Sequence, residues 1–460
     1  MPCFNLIQYV FQFLYMPKIW SKIMDKKLNK FELIDFLHMF FIVAMPIICV
    51  GGVSLIPHKL RLPLIYMTGI ILLAAFVFGR KKVKLNSVNV SGILLLCYLF
   101  IQLTYSYDQQ ATLDFFIIYA CATTLLFIDL PLNNIEKIIT VMYVFCIVIA
   151  ISIIISVPIK NCMLTYFNFI VNPNNTPSVR QAILNELSIG SYSGFAREKG
   201  EAAFIMNIGL AISFAKFFTE GKLNKKDMVA FLLIFSALIL TSKRTMLTVS
   251  LICFVVFMIV SKIKGKFFKF ACIVLVAVFV IFFILMFMPD FANVFNRFMD
   301  KENMESMGSR DLLWIYMEMM LSKYWLFGAG FASYNEFAYD NGFRNYKERW
   351  DYHGHNSYYQ ALSETGIIGF TIIIAFLLFA LLKTIKYIRT GNLTNSQMKI
   401  IFFSLYVQIM VDFYAITGNP FYTNQIIFML FFAIGIMLCV GMSTEDKVRT
   451  KISTRGKGYE

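Results

Sequence analysis

Nine residues separate the pair His355-Asn356 from Gly366 in the segment HNSYYQALSETGIIGF, and Gly366 and Gly369 are spaced G-x-x-G. An imidazole changes charge close to neutral pH, so His355 is suited to take a proton from a hydroxyl during group transfer. Asn356, Glu364 and His353 are close enough in sequence to orient it. A helical period through this stretch places His355, Tyr359, Leu362, Gly366 and Gly369 near one face, where the two glycines let a neighbouring helix approach. A histidine in such a stripe also serves as a hydrogen-bonded structural group.

Four arginines supply a second kind of chemistry. Arg197 lies in GFAREKGEAAF, Arg244 in LTSKRTML, and Arg310 and Arg344 lie upstream of His355. A guanidinium is always charged and offers a planar fork of donors that matches phosphate oxygens, so several together suit a diphosphate. Singly, each is also accounted for by snorkelling to a membrane interface or by pairing with an acid. Near Arg310, Arg344 and His355 in sequence lie Asp311, Trp314, Trp325, Trp350, Asn356 and Tyr359. Aromatic faces stack on sugars while carboxylates and amides bond hydroxyls, which makes Trp314, Tyr359, Asp311 and Asn356 candidates for holding a glycan. Trp and Tyr equally populate the interfacial belt of membrane proteins.

These residues must be positioned by apolar helices. The chain has 58% hydrophobic and 17% aromatic residues against 15% charged, far beyond the needs of a soluble core. Runs of about 20 apolar residues, enough to cross a bilayer, recur along its length. The expected fold is therefore all-α, a polytopic transmembrane bundle of about twelve spans with one large, partly helical external loop. Residues 1–33 read as an interfacial N-terminal segment, in which 4–16 is too short to span and carries no cleavage pattern. Residues 34–288 hold about nine spans and an external loop at 158–201. Residues 289–365 form the large loop with the candidate site, 366–442 hold three more spans, and 443–460 form a basic tail. Within the large loop, 311–321 reads as a helix and Gly328-Ala-Gly330 as a turn.

Basic clusters recur at alternate loops, which places both termini in the cytoplasm by the positive-inside rule. The net charge of +15 thus faces an anionic leaflet, and no nucleic acid is expected as a partner. The cysteines form no C-x-x-C pair, and seven of the nine fall in apolar spans. His353-x-His355 spacing suits a metal in a loop, but the external loops add only Cys162 and His58, so no metal is expected. The chain has no P-loop and no H-E-x-x-H.

The HN-x9-G-x-x-G element resembles the signature of the O-antigen ligase and O-antigen polymerase superfamily, whose members carry a histidine at the end of a large periplasmic loop. GSRDLLW ahead of FGAGF resembles that family's arginine-containing segment, and LTSKRT resembles its T-x-S-R-G segment with Arg244 in the arginine position. Lys243 and Thr245 depart from the usual serine and glycine, and REKGEAAF matches the family only loosely.

The resemblance implies glycosyl transfer from an undecaprenyl-diphosphate-linked oligosaccharide on the outer face of a bacterial plasma membrane, without metal or cofactor. It implies Arg244, Arg310 and Arg197 on the diphosphate, His355 as general base and Glu364 as its orienting group. The expected partners are the lipid-linked glycan and membrane lipids, with a chain-length regulator or a flippase as protein partners. Drift around Arg197 and Arg244 favours a polymerase of repeat units over a ligase that caps lipid A core. A transporter or flippase for the same glycan is the other reading. Against it, the spans carry few ionisable residues, Asp412 excepted.

Overall fold

The structure, a computed structural model, describes residues 30–50, 58–79, 85–159, 161–172, 174–196, 198–261, 308–342, 353–390 and 393–456. The segment 4–16, the expected ninth span at 267–288, Arg197, Arg344 and Trp350 lie outside the described residues.

All regular structure among the described residues is helical. The first group is α1 (Lys30–Cys49), α2 (His58–Gly79), α3 (Ser87–Gln102), α4 (Gln109–Thr124) and α5 (Leu132–Ile155). The loop after α5 carries two single turns and α6 (Pro177–Ser188), then come α7 (Lys199–Glu220), α8 (Lys225–Leu240) and α9 (Arg244–Val260). The last group is α10 (Gly308–Tyr324), α11 (Tyr334–Asp340), α12 (Ser357–Thr390), α13 (Asn395–Tyr414) and α14 (Asn424–Gly456).

Local signals set several boundaries. The Asn86 side chain accepts from the Val88 and Asn89 N–H groups, Asp108 from Ala111, and Asn224 from Asp227. Thr394 and Gln397 form a reciprocal capping box at the start of α13. Gly221, in the left-handed region, closes α7 by donating to the Phe217 carbonyl.

Among the described residues, five helices are long and apolar enough to cross a membrane: Gln109–Phe127, Leu132–Ile155, Lys199–Glu220, Ser357–Arg389 and Asn424–Met442. Met39–Cys49, Leu62–Leu73, Ser87–Gln102 and Arg244–Val260 are apolar but shorter. The core is built on α7, α13 and α14, and 89% of the apolar window is buried in both α7 and α14. Outer helices instead expose Ile70, Phe100 and Ile259, a placement that hydrocarbon tolerates and water penalises.

The direction of these helices decides where the candidate residues lie. Lys399 Nζ is 2.9 Å from Glu220 Oε1, and Tyr406 Oη donates to Asn207 Oδ1 at 2.8 Å, so α7 and α13 run antiparallel. The start of α7 therefore lies at the end of α13. Asn207 Nδ2 also donates to the Met246 carbonyl at 3.3 Å, which brings the start of α9 to that same end. The Ala415 carbonyl, just past α13, accepts the Ser357 N–H at 2.8 Å. Arg244 and the segment leading into α12 thus share one end of the bundle.

Two expectations about the loops are refined. The large loop is mostly helix among its described residues, with α10 running beyond both ends of the expected 311–321. Cys162 lies in the smaller loop but is buried, with Met163, Val171 and Ile183.

Candidate active site

The first surprise of the site is backbone geometry. α12 is broken at Gly366, whose φ of 62° and ψ of −176° belong to a region open essentially to glycine alone. The N–H groups of Ile367 and Ile368, which an unbroken helix would aim at its own preceding turn, donate to the Trp325 and Leu326 carbonyls at 2.9 and 3.3 Å. The carbonyls released on the other side find replacements too. Glu364 O accepts from the Gly330 N–H at 2.9 Å and from Gln102 Nε2 at 3.2 Å, and Thr365 O is 2.8 Å from Tyr98 Oη. The LFGAGF segment is therefore a strap wedged into the helix break, and every exchange keeps backbone polar groups paired in an apolar setting.

Glycine is required at three of these positions by close approach. A Cβ on Gly328 would strike the Glu364 carbonyl, one on Gly330 the Ser106 hydroxyl, and one on Gly366 the Leu326 carbonyl. This corrects the expected single stripe from His355 to Gly369. The helix begins at Ser357, and the break at Gly366 rotates the remainder of α12 out of register with its first turns. Of the glycine pair, only Gly369 serves helix packing, against the ring of Tyr98 on α3.

Glu364, fully buried, organises the rest. Its Oε1 accepts from the Tyr334 N–H at 3.1 Å and Gln360 Nε2 at 3.0 Å, and its Oε2 from the Ala332 N–H at 2.8 Å and Tyr422 Oη at 2.7 Å. Two of these partners reach the histidine segment. Gln360 Oε1 accepts the Gly354 N–H at 2.9 Å, and the Tyr422 ring is stacked between Phe331 and His353, with centroids at 5.0 and 5.4 Å. Glu364 thus braces the segment 353–355 through Gln360 and Tyr422.

Glu364→Gln is expected to destabilise the protein by about 2 kcal/mol. The Ala332 and Tyr334 N–H groups are fixed backbone donors, so an amide presents its NH2 to one of them. A lowered melting temperature of the detergent-solubilised protein would register the loss; an unchanged one would show that the donors re-pair.

His355 itself is exposed and sits at φ 50°, in the left-handed region that histidine visits more readily than most residues. The turn is held from both sides. Trp314 Nε1 donates to the Gly354 carbonyl at 3.0 Å, and the Ser357 N–H and hydroxyl lie 3.1 and 3.0 Å from the Gly418 carbonyl. Asn356 caps α12, its Oδ1 accepting the Tyr359 N–H at 3.1 Å. Trp314 and Tyr359 meet edge to face at 6.3 Å and stand partly exposed beside the turn. Arg310 and Asp311 occupy the first turn of α10, ahead of Trp314.

Arg244 opens α9, at the positive end of a helix dipole, which favours an anion. The preceding Ser242 is itself left-handed at φ 54°. The turn is fastened to the smaller loop: Ser191 Oγ donates to the Thr241 carbonyl at 2.7 Å, the Tyr192 N–H to Leu240 O at 3.0 Å, and Ser242 Oγ to Gly190 O at 3.1 Å. Glu186 Oε1 accepts the Lys199 N–H at 3.2 Å, and burial pushes its carboxyl up from the ordinary value. Lys243 Nζ and Glu198 Oε1 both border Gly200. The structure therefore brings His355, Trp314, Asn356, Tyr359 and Glu364 together, and sets Arg244 at the same end of the bundle.

Sequence reasoning missed Gln102, Gln360 and Tyr422. The signal was present: each is a polar group at the edge of an apolar run, where an unpaired hydrogen-bonding group is costly.

Residues 229–374 match the family described as O-antigen ligase. The match spans Arg244, Arg310 and the whole His355 to Gly369 element, and it bears out the resemblance that this element carries. No curated protein matches the chain significantly.

Proposed function

Because residues 229–374 carry an O-antigen ligase domain, we propose that this membrane protein polymerises undecaprenyl-diphosphate-linked oligosaccharide repeat units on the outer face of the bacterial plasma membrane, both termini being cytoplasmic. The observation that carries the reading is His355: an exposed imidazole on a turn braced by Trp314, Gln360, Tyr422 and Ser357, at the bundle end that also holds Arg244. His355 takes the proton of an acceptor hydroxyl as its oxygen attacks the anomeric carbon. The bond from that carbon to the diphosphate oxygen breaks, and Arg244, Arg310 and Arg197 take up the departing charge. Arginine charge does this work without a metal or cofactor. Trp314 and Tyr359 offer faces to the sugars, and Asn356 and Asp311 offer polar groups. Glu364 orients the histidine turn through its two intermediaries.

A ligase that transfers the same glycan to lipid A core is the second reading, and the family match at 229–374 is common to both. Purified protein supplied with a lipid-linked repeat unit and a lipid A core acceptor separates them. A ladder of chain lengths supports polymerisation, a single capped core supports the ligase, and movement of unaltered glycan between leaflets would sink both in favour of transport.

Arg244→Ala is expected to lower kcat/KM for the lipid-linked donor by about 100-fold or more, the scale of one lost transition-state donor. Arg244→Lys restores only part of it, because an ammonium keeps charge but not the fork. Equal activity of both variants with the wild type would remove Arg244 from the diphosphate.

A further inference from the structure

The turn at 415–422 carries more polar chemistry than its own fold consumes. Its Ala415 and Gly418 carbonyls receive Ser357, and the Tyr422 ring receives His353, so it forms the wall against which the His355 turn is seated. Yet Thr417 Oγ1 and Asn419 Oδ1, both closed off from solvent, have no hydrogen-bond partner among the described residues. Buried acceptors are satisfied in the great majority of cases, and leaving one unpaired costs free energy. Two in the same short turn, beside an exposed histidine, mark a place that a ligand completes.

The ligand's chemistry is dictated by the partners these atoms lack. The Thr417 hydroxyl donates or accepts, whereas Asn419 Oδ1 only accepts, so the pair needs at least one donor, which a phosphate or carboxylate lacks near neutral pH. Sugar hydroxyls donate and accept, so they serve Thr417 in either role and Asn419 with its amide in either orientation.

We infer that the turn at 415–422 is a subsite for the acceptor glycan, in which Thr417 Oγ1 and Asn419 Oδ1 receive sugar hydroxyls and set the acceptor against His355. The turn lies outside the matched residues 229–374. The inference rests on the glycosyl-transfer reading above, which assigns His355 to the acceptor side.

The test uses the full chain in lipid nanodiscs, a lipid-linked repeat as donor and a soluble synthetic repeat-unit oligosaccharide as acceptor probe. Thr417→Val and Asn419→Ala are each expected to raise the acceptor KM about tenfold, the effect of one lost hydrogen bond. Their kcat stays within about twofold of the wild type, and Thr417→Ser, which keeps the oxygen, retains the wild-type KM. Melting temperature supplies the independent reading. Removing an unsatisfied buried acceptor leaves stability unchanged or raises it, whereas removing a structural hydrogen bond lowers it.

An active wild type with unaltered acceptor KM in both variants overturns the subsite and leaves the function reading standing. Lowered melting temperatures with kcat lost and KM unmoved overturn it as well, since they indicate a structural role. A wild type that neither binds nor transfers the glycan overturns the function reading and the subsite together.

Discussion

His355→Ala is expected to abolish glycan transfer while the protein inserts and folds as before. The side chain is exposed, so its removal opens no cavity. The turn that carries it is fixed by neighbours: Gly354 is held by Trp314 and Gln360, and Ser357 by Gly418. On the proposed mechanism the loss is that of the general base, and general-base removal typically costs about 10²–10⁴-fold in rate. Alanine is also less at ease than histidine at φ 50°, so His355→Asn is the sharper control. Asparagine tolerates the left-handed conformation and cannot act as the base, so it should be as inactive as alanine with an unchanged melting temperature. Transfer of labelled repeat units at the wild-type rate by either variant would remove His355 from the chemistry.

The sequence and the structure agree where one physical rule dominates. Apolar run length marks α4, α5, α7, α12 and α14, because a span needs a minimum of hydrocarbon-soluble residues whatever its neighbours do. The helix after Gly308 and the turn at Gly328 to Gly330 were legible for the same kind of reason, a local break written in glycine. The break at Gly366 was not legible. A glycine in an apolar helix is compatible with close packing or with a broken helix, and the choice depends on Trp325 and Leu326, some forty residues upstream, supplying the missing acceptors. The His355 stripe failed with it, since periodicity presumes the continuous helix that the strap interrupts.

Glu364 shows the same division. That a carboxylate nine residues beyond His355 lies close to the histidine segment could be read from proximity. That it reaches that segment through Gln360 and Tyr422 depends on the chain after α13 turning back to Glu364, a long-range fact with no local trace. The clustering of Arg244 with His355 at one end is likewise tertiary, set by the antiparallel register of α7 and α13.

Gly366→Ala is expected to be the most destabilising substitution in the site, by about 3 kcal/mol or more, and to remove activity along with the fold. Its backbone conformation is closed to residues with a Cβ, and the atoms such a Cβ would meet are Leu326 O, Leu326 C and Gly328 N. All three are main chain and cannot swing aside. Relief requires α12 to straighten, which expels the strap, and Ile367 and Ile368 then reclaim helical partners while Gly330, Ala332 and Tyr334 lose Glu364. Gly328→Ala should behave alike, because it presses on the Glu364 carbonyl from the opposite side of the same contact. Gly369→Ala is the milder comparison, since its obstacles are the Tyr98 ring and the Thr365 Cβ, and a ring can shift. Melting curves of the three purified variants test the order, and a Gly366→Ala protein as stable as the wild type would mean the helix break is not needed. The contrast with His355→Ala separates chemistry from scaffold: one substitution removes a chemical group from an intact turn, the other removes the strap and brace that hold the turn.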